Sequence, residues 1–96
     1  MKLEFHPEAE LELIEASVYY DHAVAGLGDR FEIEVRRATD LLLDTPEIGA
    51  PIDIHIRKFT LTSFPYNLIY VTSADSVCVL AVAHHKRKPG YWRNRI

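Results

Sequence analysis

With one cysteine, no acid after Asp75 and only nine glycines and prolines among its 96 residues, the chain falls outside several large classes of protein. A lone Cys78 cannot build a disulfide framework or a thiolate metal cage, and within the apolar run VCVLAVA it reads as a small buried hydrophobe. No apolar run approaches the roughly 20 residues that span a bilayer. The opening MKLEFHPEAELELIEA places acids where a secretory signal needs an unbroken apolar stretch, so the expected location is cytoplasmic, with no membrane partner. Linkers, repeats and low-complexity tracts are missing too. With 48% hydrophobic residues, one globular domain over residues 1–96 is expected, able to bury about two-thirds of its unfolded surface. There is no G-x-S-x-G and no glycine-rich phosphate loop, and Ser17, Ser63, Ser73 and Ser76 have no motif around them. Nothing points to a cofactor.

Charge is present but divided. Residues 1–53 hold thirteen of the fourteen acids against four bases, a net −9, while residues 54–96 hold seven bases against one acid, a net +6. The segment HHKRKPGYWRNR, residues 84–95, contains five of the eleven Lys and Arg, two of the five His and the only Trp. This asymmetry suggests an anionic partner for the second half, although a solvated basic face has the same composition.

The periodicity predicts an α+β protein with the order β-α-α-β-β-β. KLEF alternates before His6 and Pro7, which suit a helix start, and Ala9, Leu13, Ala16 and Tyr20 then recur at helical spacing. Leu11, Ile14 and Val18 form a second apolar edge, either for a partner or as part of a broad core stripe. After AGLGD, the residues Leu27, Phe31, Val35, Ala38 and Leu42 mark a second helix that TPEIGAP ends. Helices over 8–25 and 28–44 should form a hairpin on one face of a small antiparallel sheet made from 2–6, 54–59, 66–72 and 77–84. Strict alternation in the last strand places Val77, Val79, Ala81 and Ala83 on one face and Cys78, Leu80 and Val82 on the other. Both faces are apolar, yet a hairpin covers only one. Tyr91 and Trp92 of the tail, or another chain, must cover the second.

Arg57 is the most informative cation outside the tail, because an Arg inside an apolar strand needs solvent, an anion or a carboxylate. It shares a strand face with His55 and Phe59, whereas Lys58 lies on the other with Ile54 and Ile56. His84 and His85 diverge and lack further ligands, so no metal site is expected. A His that moves a proton, an Arg that offsets phosphate charge and Tyr91 as a stacking or hydroxyl group would together suit metal-free RNA cleavage.

The ordered patterns FHPEAELELIEASVYYD, GLGDRFEIEV, Arg57 with FPYNLIY, and LAVAHHKRKPGYWRNR resemble the RelE/ParE superfamily, toxins of type II toxin–antitoxin modules often labelled plasmid stabilisation proteins. The resemblance covers nearly the whole chain. It implies a helix hairpin on an antiparallel sheet and an antitoxin that wraps and neutralises the toxin in a hetero-oligomer, with Leu11, Ile14 and Val18 as the expected antitoxin-binding edge. RelE-like members cleave mRNA in the ribosomal A site. At matching positions the resemblance implies a catalytic set of Arg57, Arg87 and Tyr91, with His84 or His85 carrying the proton, and Lys58, Lys86, Lys88, Trp92, Arg93 and Arg95 meeting nucleic acid or another target. ParE-like members instead poison DNA gyrase and lack the nuclease residues. The balance tilts slightly towards the mRNA endonuclease, since Arg57, Arg87 and Tyr91 are present although no clear general base is. A non-toxic interaction module of the same fold is the third reading.

Overall fold

The computed structural model describes residues 1–96. A short strand, β1 (Lys2–Phe5), leads into α1 (Pro7–Ala23) and α2 (Leu27–Asp44), followed by β2 (Ala50–Pro51), β3 (Ile56–Thr60), β4 (Tyr66–Thr72), β5 (Ser76–His84) and a terminal 3-10 turn at Arg93–Arg95. Pro7 opens α1, where its missing N–H costs nothing, and the His6 side chain accepts the Glu8 N–H at 3.1 Å. The helices run antiparallel and touch closely at Gly28, whose N–H donates to the Asp21 carboxylate at 2.7 Å. A Cβ at that position would collide with the Ser17 carbonyl and with Asp21, so a side chain there would push the hairpin apart.

The sheet order is β1-β5-β4-β3-β2. Three of its pairings are antiparallel, as expected, but β1 runs parallel to β5, with Lys2 opposite Ser76 and Phe5 opposite Val79. The strand that enters the helix hairpin thus closes the sheet beside the strand that ends it. The two-residue β2 lies in a stretch read only as a helix stop; its Pro51 is tolerated because β2 is an edge.

A β-bulge corrects the expected facing of β5. Tyr70 pairs with Val79 and Ile69 with Ala81, leaving Leu80 as the extra residue. An inserted residue reverses the alternation after it. Val77, Val79 and Val82 therefore face the helices, packing with Phe31, Val35 and Leu42, while Leu80, Ala81 and Ala83 share the opposite face with Ile56 and Ile69. Trp92 seals that second face and is only 4% exposed. Its indole fits where Ala81 and Ala83 leave room. Of the two coverings open to the second face, the tail supplies one.

No helix is long and apolar enough to cross a membrane.

Candidate functional site: the cleft under the tail

After His84 the chain turns back across the sheet. The first tether is the His85 N–H to the Pro65 carbonyl at 2.9 Å. Lys88-Pro89-Gly90-Tyr91 then makes a tight turn closed by the Tyr91 N–H on the Lys88 carbonyl at 3.2 Å. Gly90 has φ 77°, as a type II turn requires at its third residue, and Pro89 sets the second. This turn drives Tyr91 and Trp92 against the sheet.

Between tail and sheet lies a cleft of about 370 Å³. Lys58 and Asn67 rise from its floor, His84 and His85 stand at the end of β5, and Arg87, Lys88 and Arg93 come from the tail. No Asp or Glu lines it. Four permanent cations around a half-open space without an acid make a strongly anion-attracting surface. The Asn67 side-chain oxygen is buried and has no hydrogen-bond partner. Arg93 meets Asp53 at 3.4 Å on the rim, with both side chains about half exposed. An exposed pair of this kind contributes little stability.

Behind the cleft, on the α1 side, Glu12 gathers the tail's polar groups. Its carboxylate accepts the Tyr91 hydroxyl at 2.7 Å, two Arg95 N–H groups at 2.9 and 3.0 Å, and the Val82 backbone N–H at 3.0 Å. Arg87 lies 3.9 Å from the same carboxylate, with its guanidinium 3.8 Å over the Tyr91 ring. Burial, followed by the bond to Glu12, pushes the Tyr91 hydroxyl far above the usual phenol range. The bond to Glu12 likewise raises Arg95, which remains a cation.

The structure divides the residues singled out in the sequence. Arg87, Lys88, Lys58, Arg93, His84 and His85 meet around the cleft. Arg57 does not join them. It faces the helix side of the sheet, and its guanidinium donates to the Glu47 and Gly49 carbonyls at 3.0 and 2.8 Å. Its need for a partner was legible, but the partner is neither an anion nor a carboxylate. Tyr91 reaches the cleft with its ring, its hydroxyl already being donated to Glu12. Trp92 and Arg95, expected to meet a target, are buried: Trp92 lines the cleft but belongs to the second-face core, and the Arg95 side chain is 10% exposed in its pair with Glu12. Lys86 is exposed outside the cleft. His84 packs edge-on against Tyr66, with centroids 5.0 Å apart, and accepts the Lys86 N–H. On α1, Leu11, Ile14 and Val18 are about half exposed, as an unpartnered apolar edge should be.

Glu12 is the residue that sequence reasoning missed. Its signal was its spacing, three residues after Ala9 and four before Ala16, which turns this acid towards the buried stripe instead of solvent.

Comparison with known proteins agrees with this architecture. The family model described as the ParE toxin of the type II toxin-antitoxin system, parDE, matches residues 3–89. Toxin ParE2 of Mycobacterium tuberculosis, in strains CDC 1551 / Oshkosh and ATCC 25618 / H37Rv, is 32% identical over 89 residues, spanning 92% of this chain and 85% of the relative. Among solved structures, a chain of the chromosomal ParDE TA system from P. aeruginosa superposes with a TM-score of 0.76 at 15% identity, covering 88% of this chain and 95% of that one. That likeness is one of fold.

Proposed function

Because the chain belongs to the ParE family of toxins from type II toxin–antitoxin systems, we propose that residues 1–96 act as one cytoplasmic toxin domain that arrests growth by binding and poisoning DNA gyrase, without cutting RNA. The separation of Arg57 from Arg87 and Tyr91 carries this reading. A metal-free nuclease must bring charge-offsetting groups to one scissile phosphate together with a base for the attacking hydroxyl. Here Arg57 lies across the sheet from the cleft, held by two carbonyls, and the Tyr91 hydroxyl is committed to Glu12. The sequence tilted towards cleavage because all three residues are present; their placement favours a surface that binds. Lys58, Arg87, Lys88 and Arg93 give that surface its charge, suited to the acidic or DNA-bearing parts of a target.

A toxin of this class is paired with an antitoxin. We assign the antitoxin's seat to the α1 edge of Leu11, Ile14 and Val18, which has no partner within the chain.

The test is to induce the wild type and Arg87→Ala without antitoxin, map mRNA ends, and assay gyrase supercoiling alongside. The expected result is intact mRNA with inhibited supercoiling, relieved in the variant. Translation-dependent mRNA cuts that vanish with Arg87→Ala would replace this reading with the endonuclease, for which His85 beside Arg87 is the available proton carrier. Growth without arrest would leave a harmless binding module.

A further inference from the structure

Strand β5 outruns its neighbour. The pairing ends with the His6 N–H on the Val79 carbonyl at 2.9 Å, where the chain turns into α1, so Leu80 and Val82 present polar backbone groups to an open edge. Two side chains close that edge. Glu12 accepts the Val82 N–H at 3.0 Å, and Arg95 donates to the Leu80 carbonyl at 2.9 Å. The same two residues bond each other twice, so the end of the chain is fastened to α1 and to the sheet at one point. With side-chain exposures of 12% and 10%, this pair is largely shielded from water.

What hangs on this fastening is the cleft wall. The bond from the Tyr91 hydroxyl to Glu12 fixes the ring, and the ring in turn carries the Arg87 guanidinium on its face. Arg87 is itself about half exposed, with no closer hydrogen-bonded acceptor to hold it, and its other neighbour is again Glu12 at 3.9 Å. Every polar restraint on Arg87's side chain therefore leads back to one carboxylate. Glu12 does not line the cleft; it lines a smaller adjoining pocket with Arg87 and His84.

We propose that Glu12 is a positioning residue, which holds Arg87 and the tail in the shape the target meets without contacting the target itself. The proposal rests on the reading that this cleft is the toxin's working surface. It makes a prediction of sign. Were Glu12 only a nearby negative charge, Glu12→Gln would make the cleft more positive and strengthen its hold on an acidic target. As a positioning residue, its loss frees the tail and weakens that hold. Misplacing a functional group by about an ångström can cost on the order of 100-fold, so a loss of about tenfold or more in potency is expected.

The experiment compares full-length wild type, Glu12→Gln, Glu12→Asp and Tyr91→Phe. It measures inhibition of gyrase supercoiling and acrylamide quenching of Trp92, the chain's only tryptophan. Expected are weaker inhibition and a more accessible Trp92 in Glu12→Gln, partial recovery of both in Glu12→Asp, and a smaller loss of inhibition in Tyr91→Phe, which removes only the link between Glu12 and the ring. If Glu12→Gln fails to fold by circular dichroism, Tyr91→Phe decides alone. Unchanged or stronger inhibition, or Trp92 as shielded as in the wild type, overturns the proposal. If the wild type leaves gyrase untouched, the target reading fails, and the quenching comparison still judges the role of Glu12.

Discussion

Arg57 and Tyr91 are two side chains whose residue types suggest chemistry and whose partners give them structural roles. Arg57 satisfies the carbonyls of Glu47 and Gly49, and so helps hold the loop between α2 and β2 against the sheet. Arg57→Met should cost about 1–3 kcal/mol, because the part-buried Gly49 carbonyl loses its donor, while water can replace it at the exposed Glu47 carbonyl. Urea unfolding measures that cost, while growth arrest by the folded fraction should persist. The sequence could show that this Arg needed a partner, but a backbone carbonyl has no residue-type signature. The tyrosines give a pH prediction. Tyr20, Tyr66, Tyr70 and Tyr91 are all raised above the ordinary phenol value, chiefly by burial. Above about pH 10 the unfolded chain releases phenol protons that the fold retains, so stability is full below that value and falls as pH rises past it. Urea midpoints at about pH 8 and about pH 11 should differ in that direction.

Among the elements, the tail carries the most consequence. Trp92 closes the second face of the sheet, resting on Ala81 and Ala83. Trp92→Ala should destabilise by roughly 3–5 kcal/mol, the range for emptying such a site. It should also expose apolar surface, read by a lower thermal midpoint and by binding of a hydrophobic dye. The need for a cover was legible, since β5 is apolar throughout and one hairpin cannot cover both faces. The assignment of faces was not legible beyond Val79, because a single extra residue at Leu80 inverts every later side chain and leaves no mark in an all-apolar run. The helices were the clearest elements. The α2 stripe of Phe31, Val35, Ala38 and Leu42 is buried as its spacing requires. No acid of α1 was singled out in the sequence, and Glu12 shows what that leaves out: on a helix packed closely through alanines, an acid beside the stripe can be drawn into the interior.

The molecule as a whole separates two kinds of surface. The acidic first half forms the helix hairpin with its half-exposed apolar edge, and the basic second half forms the three strands β3–β5 and supplies the cations of the cleft. Antitoxin and target would then meet different faces, so the two activities should be separable by mutation. Ile14→Asp should weaken antitoxin binding by the worth of one buried aliphatic side chain, roughly 1.5–3 kcal/mol or about ten- to 100-fold in affinity. Growth arrest should survive and escape neutralisation; calorimetric titration and co-expression measure the two effects. The acidic and basic halves themselves were legible from charge alone. The parallel seat of β1 was not, because local alternation carries no information about which distant strand a strand will join. That seat also bears on timing during synthesis. The first strand must wait for Ser76–Val79 to pair, and Glu12 waits for Arg95, 83 residues later. Contacts so distant in sequence form late and slowly. A nascent chain therefore leaves both the cleft and its anchor unmade until Arg95 has cleared the ribosome.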